Sequence, residues 1–398
     1  MNDAYPIKDT SKLNYIDSLR GIAILMVILV HTSQSFDKIS PSFFSICKYG
    51  QMGVQLFFFL SAYTLCLSVD RNGAEKKWFL SFYLKRYFRI APLYYVGILL
   101  YFSISIILRN STRMLSIFGS GLIGGPYNLP NILSNVFFVH NFYHGALNNI
   151  VPGGWSIGAE MAFYLIFPFI FIFYKKMISK NKVFLFLFPL IVFCLLLIAI
   201  YLTGTYIFHI ELVNNRFDYF NIFNQLPVFL VGISFYNYLL ISNSKPNLFF
   251  YGCCFVILTT ISVSIFYFFF NITLVPFVAS ISFIYLFLLF KHSSFLKSKL
   301  LERIGQLSYS MYIFHFIFAW PVTFAITNFF NNYTHISPLV LLILCFTINV
   351  FSTFFIAQLS EFLIEKPGIR LGRIVYSKIQ IKKGTTYMNN PIDQMVEH

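Results

Sequence analysis

The sequence predicts an all-α integral membrane protein with about ten transmembrane helices in one bundle. Three observations carry that reading. Of 398 residues, 58% are hydrophobic and only 11% are charged, a mixture that a soluble domain of this size could not keep off its surface. Apolar stretches long enough to span a bilayer, or nearly so, recur at about 20–35, 51–69, 91–108, 160–174, 183–203, 223–241, 249–270, 273–290, 308–329 and 337–360. If each of the ten crosses, 24 of the 29 Lys and Arg fall on the side of the termini, leaving Lys38, Lys48, Arg109, Arg113 and Arg216 on the other. The basic side is the cytoplasmic one, so both termini are expected there, in a multi-pass protein of the cell (plasma) membrane. The asymmetry also supports the count, because dropping one crossing would scramble it.

The net charge of +15 does not call for a nucleic-acid partner, since the basic residues are scattered between apolar segments. The expected surroundings are lipid. Cys47, Cys66, Cys194, Cys253, Cys254 and Cys345 lie mostly inside apolar segments with neither metal nor disulfide spacing, and read as packing residues. No metal site is expected. The first apolar run has no small-residue cleavage site after it and reads as a retained helix, not a signal peptide. Pro92, Pro168, Pro189, Pro227, Gly232, Pro276 and Pro321 punctuate the spans, which bilayers tolerate where neighbouring helices recapture the freed backbone groups. One long segment on the side away from the termini, about 109–159, is aromatic and apolar enough to fold back over the helices. Residues 1–375 are expected to form the membrane domain and 376–398 a solvated cytoplasmic tail.

The chain is organised around Asp17–Ser35. Ten uncharged residues separate Arg20 from His31, and eleven helical steps are about three turns plus roughly 20°, so the two share a face about 16 Å apart along the axis. With Arg20 at one membrane surface, His31 is expected near mid-bilayer. An ionisable group at that depth costs a few kcal/mol unless it faces protein or water, which points to a functional site; the alternative is a histidine that hydrogen-bonds helices together. Leu84–Pro92 closes the second loop on the termini side and places Arg86 and Arg89 three apart, so neighbours on one helical face. Their guanidinium forks suit phosphate oxygens, or anchor the chain at anionic headgroups. Arg20 lies on the same side, so three arginines can converge on one polyanion.

On the opposite side, Gly153–Tyr164 leads into the fourth span and carries Glu160. Glu160 either complements the positive end of the helix dipole or acts at the outer mouth, orienting His31 or binding a polar substrate. The ninth span opens through Ser308, Tyr309 and Ser310 toward His315, for which packing and chemistry stay open. Glu361 or Glu365, after the tenth span, is expected to pair with nearby arginines in a structural role. Ser61 closes a Phe-rich run and shows no sign of being a nucleophile. There is no GxSxG elbow, phosphate-binding loop, HExxH or CxxC pattern.

Taken in order, these pieces resemble the acyltransferase 3 family of bacterial membrane O-acyltransferases. The resemblance rests on Leu19-Arg20-Gly21 with His31 eleven residues after Arg20, the Phe-rich run ending in Ser61, Arg86 with Arg89, and Trp155-Ser156 with Glu160, Phe163 and Tyr164. The Ser308–His315 stretch and Glu365-Lys366-Pro367 complete it, and the match covers roughly residues 15 to 370. One departure is Ala62, where the family usually has glycine. The resemblance implies transfer of an acetyl group from cytoplasmic acetyl-CoA to a hydroxyl of an extracytoplasmic or lipid-linked glycan. Arg20, Arg86 and Arg89 would bind the CoA phosphates, and His31 would act as general base or acyl carrier with Glu160 beside it. Trp155 and Ser156 would meet substrate, and Ser61, Tyr309 and His315 would support the site. Relatives often carry a fused extracytoplasmic hydrolase-like domain, and this chain is expected to end before one, transferring straight to the glycan. Succinyl or another short acyl group, and a homo-oligomer, stay open. The rival class is a polytopic exporter of a glycan or lipid precursor, with the ionisable groups lining its pathway. A structural partner in polysaccharide assembly would leave the placing of Arg20 and His31 unexplained.

Overall fold

A computed structural model describes residues 13–36, 41–72, 78–178, 181–202, 217–242, 245–269, 273–294, 296, 298–333 and 336–382. The charge assignments at Lys8, Lys12, Lys38 and Arg216, and most of the tail, lie outside the described residues. Those residues form helices and connecting turns, with no strand among them. Nine described helices are long and apolar enough to cross a membrane. The remaining expected span, 183–203, is a helix at Phe184–Leu202 whose apolar portion, Phe184–Ala199, is shorter.

In chain order the helices are α1 (Asn14–Ser33), α2 (Pro41–Tyr49), α3 (Gly53–Asn72), α4 (Trp78–Asn110), α5 (Thr112–Phe118), α6 (Leu129–Val136), α7 (Gly154–Ile178) and α8 (Phe184–Leu202). They continue with α9 (Phe217–Phe220), α10 (Ile222–Ile241), α11 (Leu248–Phe269), α12 (Leu274–His292), α13 (Lys299–Gln306), α14 (Ser308–Ala319), α15 (Pro321–Tyr333), α16 (Pro338–Ser360) and α17 (Lys366–Lys382). The periodic apolar runs thus become helices where they are expected, but three boundaries differ in ways that matter to the site.

First, α4 begins at Trp78, so Arg86 and Arg89 lie inside a continuous helix and not in a loop before it. The stretch 78–90 mixes bulky aromatics with cations, which lowers its mean hydropathy without weakening its helical propensity. Second, α1 begins at Asn14, six residues before Arg20, and ends two residues after His31. His31 is therefore in the last turn of its helix, nearer one end of the span than its middle. Third, the ninth span is broken at Trp320. Pro321 opens α15, where its missing N–H costs nothing, and α14 stops at Ala319.

α1 is the central post, packed on α3, α12, α13, α14 and α16. Its closest neighbour is α13, and the approach depends on two glycines. A Cβ on Gly305 would stand 1.7 Å from the carbonyl oxygen of Asp17, and one on Gly21 would stand 2.4 Å from that of Leu301. Small residues are what allow helix backbones to touch where no water drives them together. Ala62 lies opposite Gly232 of α10, where an added Cβ would come within 2.9 Å of Ala62 Cβ. At the termini end, Asp70 accepts from Tyr236 Oη at 2.6 Å and pairs with Lys175 at 3.0 Å, tying α3, α7 and α10 together. At the other end the 109–159 segment folds back over the bundle as expected. Asn141 Nδ2 donates to the carbonyls of Trp155 and Phe220, and its Oδ1 accepts from the amide of Ile222 at 2.6 Å.

Candidate active site

One cavity of about 90 Å³ lies among α1, α3, α4, α7 and α14. Its polar lining is Arg20, Ser61, Thr64, Arg86, Arg89, Ser156, Glu160, Tyr164, Ser308, Tyr309 and Tyr312. The three arginines expected to converge do share it. Arg20 contacts Thr64 Oγ1 at 3.4 Å and lies 3.6 Å from Asp17, one helical turn back. Arg86 stacks over the Tyr164 ring at 5.8 Å. Neither Arg86 nor Arg89 has an ion pair among the described residues, so two guanidinium groups stand around the cavity without a carboxylate bound to them.

Glu160 is in this same cavity and not at an outer mouth. Six residues into α7, it accepts from Ser61 Oγ at 2.6 Å and from Tyr164 Oη, its neighbour one turn on. The expected pairing of Glu160 with His31 is absent among the described residues. Ser61, which shows no sign of being a nucleophile in the sequence, lines the cavity and holds the carboxylate. Each such hydroxyl-to-carboxylate bond is worth about 1.5–3 kcal/mol. Together they fix the negative charge facing the arginines.

A polar stripe leads away from the cavity along α14. Ser308, Tyr312 and His315 recur at helical spacing on one face. Tyr309, on the cavity wall, donates to the carbonyl of Ile90 at 2.7 Å and so ties α14 to α4. Tyr312 Oη lies 2.7 Å from Ser156 Oγ, and both hydroxyls reach the carbonyl of Gly153, at 3.1 and 3.0 Å. Trp155 points elsewhere, buried against Phe58, Tyr219 and Phe220; of the Trp155–Ser156 pair only the serine meets the cavity.

The stripe ends at His31. Its ring lies 5.2 Å from that of His315, 4.3 Å from Phe316 and 5.9 Å from Trp320. α1 and α14 therefore run side by side in the same direction, with Arg20 level with the cavity end of α14 and His31 level with its far end. His315 is fully buried. Its Nδ1 lies 2.7 Å from the carbonyl oxygen of Tyr312, which can only accept, so the proton is on Nδ1. Nε2 of His315 is left with no partner among the described residues.

Below the cavity α16 gives way to a π-helical turn at Glu361–Glu365, a local widening often found at functional sites. Glu361 pairs with Arg303 at 2.7 Å, as the sequence suggested, and Glu365 bonds to Ser310.

Comparison with known proteins agrees with the geometry. The acyltransferase 3 family, described as an acyltransferase domain, matches residues 13–358. The peptidoglycan O-acetyltransferase OatA of Listeria monocytogenes is 28% identical over 198 residues, a match covering 48% of this chain and 29% of the relative's length. No solved structure matches.

Proposed function

The chain belongs to the acyltransferase 3 family, and from that premise we propose that this multi-pass membrane acyltransferase moves an acetyl group from acetyl-CoA to a hydroxyl of an extracytoplasmic or lipid-linked glycan. The observation that carries the reading is the cavity in which Arg20, Arg86 and Arg89 gather with two guanidinium groups unpaired, joined by the α14 stripe to His31. Guanidinium groups that line a cavity with no carboxylate bonded to them are free to receive the phosphates of an anionic ligand. A donor with phosphates at one end and an acyl thioester at the end of a long uncharged arm fits both halves. Arg20 and His31 are about 16 Å apart along α1, which an extended arm bridges. The positive-inside asymmetry supports placing the arginine end, with both termini, at the cytoplasm of a plasma membrane.

In the transfer itself, Nε2 of His31 takes the proton of the acceptor hydroxyl as its oxygen bonds to the thioester carbonyl carbon. The C–S bond breaks, the sulfur leaves with the electron pair, and the proton passes from the imidazole to the thiolate, giving the acetyl ester and free thiol. Alternatively the imidazole carries the acetyl group between the two partners; both routes use a neutral ring with a free lone pair. Glu160, set by Ser61 and Tyr164, balances the arginine charge when the donor is away. The name of the OatA relative supports acetyl as the group and peptidoglycan as one acceptor to try.

The test is transfer of labelled acetyl from acetyl-CoA into membrane and cell-surface glycan, in cells expressing the parent chain or His31→Ala at matched levels. Label with the parent alone supports the reading. Equal label above an empty control removes His31 from the mechanism, and no label together with no CoA binding favours an exporter.

A further inference from the structure

The proton on His31 can be located from the residue that faces its Nδ1. His31 Nδ1 lies 3.2 Å from Gln34 Oε1. Trp320 Nε1 lies 3.1 Å from the same oxygen. An amide oxygen and nitrogen are easily exchanged in assigning a glutamine, so the partner must settle which atom faces the histidine. Here the partner is an indole, whose N–H only donates. Turning the amide over would set its NH₂ against the indole N–H, donor to donor. Gln34 therefore presents its oxygen, and that oxygen can only accept from His31. With the proton on Nε2 instead, the bare lone pair of Nδ1 would face the lone pairs of Oε1. Only one arrangement satisfies all three groups: Nδ1 protonated and Nε2 free.

The backbone holds both partners in place. Gln34 follows the last residue of α1, three positions from His31 and so on the same side of the helix. Trp320 occupies the break between α14 and α15, enforced by Pro321, which turns its indole toward α1 from 286 residues away. Phe316 closes against both rings, 4.3 Å from His31 and 4.6 Å from Trp320.

We propose that Gln34, itself oriented by Trp320, is the positioning residue that fixes the Nδ1–H tautomer of His31 and so makes Nε2 the nitrogen that receives the proton or the acyl group. This rests on His31 being the reacting residue. When Nε2 is protonated or acylated, the ring becomes cationic and the bond from Nδ1–H to Gln34 changes from a neutral bond to a charge-assisted one. Gln34 thus stabilises the charged stage more than the resting one, which is the requirement for a rate effect. Losing it should lower kcat about 10- to 100-fold and leave KM for acetyl-CoA unchanged, because the arginine cavity is at the other end of α14.

The experiment combines nitrogen NMR with kinetics on the detergent-solubilised full chain. With ¹⁵N-labelled histidine, and His31→Ala to assign the signal among the eight histidines, the parent should show His31 protonated at Nδ1. Gln34→Met should lose that preference and show the kcat loss at unchanged KM. Gln34→Glu, which keeps an acceptor oxygen, should return kcat to within about threefold of the parent. A parental His31 protonated at Nε2, or Gln34→Met with parental kcat, overturns the proposal. Undiminished transfer by His31→Ala would instead sink the catalytic reading beneath it, and the spectrum would still decide the tautomer.

Discussion

At one end of the face shared by α1 and α14, three arginines, several hydroxyls and one carboxylate surround a cavity. At the other end, His31 packs against His315, Phe316 and Trp320, His315 is fully buried, and neither histidine has an ion pair among the described residues. The first end is built to meet charge and the second to exclude it. Guanidinium groups hold an anion well where water still reaches them, since desolvation would cost them several kcal/mol each. An imidazole that must stay neutral as a base is better kept where no charge stands beside it. Separating the two by about three helical turns lets one helix pair provide both environments, with Tyr312 standing where they meet.

The strongest way to break this comparison is to remove the reacting group. His31→Ala should cut transfer by about 10²- to 10⁴-fold while leaving the donor's affinity intact, measured as kcat and KM for acetyl-CoA. Replacing Arg86 and Arg89 by alanine should do the reverse. Each charge-assisted bond lost costs about 1.5–3 kcal/mol, so the donor's Kd should rise about 10- to 100-fold per arginine, with a smaller change in kcat at saturation. If both variants changed kcat alike and neither changed Kd, the two ends would not be separate in function.

The scaffold beneath the two ends can be tested apart from them. Gly305→Ala forces a Cβ against the carbonyl of Asp17, and overpacking of that kind costs about 1–3 kcal/mol or more. Gly252 has nothing within 4 Å of the same atom, so Gly252→Ala should stay within about 1 kcal/mol of the parent. Thermal unfolding in detergent, compared at equal protein concentration, reads both. A similarly small effect is expected from Tyr312→Phe, which loses one hydroxyl bridging to Ser156 and Gly153, about 0.5–1.5 kcal/mol. It should shift stability slightly without touching the arginines.

Much of this was legible in the order of residues, and what was not has a common cause. The spans follow from runs of apolar residues, and the shared face of Arg20 and His31 follows from eleven steps along one helix; both are local. The meeting of Arg86, Arg89 and Arg20 was anticipated from sidedness alone. Glu160 was misplaced because it stands near the start of a span on the opposite side, and its depth is set by Ser61, 99 residues away. Ser61 was undervalued for the same reason, since a hydroxyl in a Phe-rich run looks inert until its carboxylate is known. Gln34 had one visible signal, its position three residues after His31. Trp320 had another, the proline that follows it. Neither could be joined to His31 without the fold. The helical start at Trp78 was hidden by the cations of 85–89, which read as a loop when hydropathy is the guide.

The central claim is that donor binding belongs to the arginine end and chemistry to the histidine end. Its most direct test is CoA binding to the purified parent, His31→Ala and Arg86→Ala/Arg89→Ala proteins, followed as stabilisation against heat across a CoA titration. Ligand at 100 times Kd raises stability by about 2.7 kcal/mol, well within reach of that measurement. The account predicts that His31→Ala is stabilised as the parent is and that the arginine variant is not. Loss of stabilisation in His31→Ala, or its survival in the arginine variant, would contradict it.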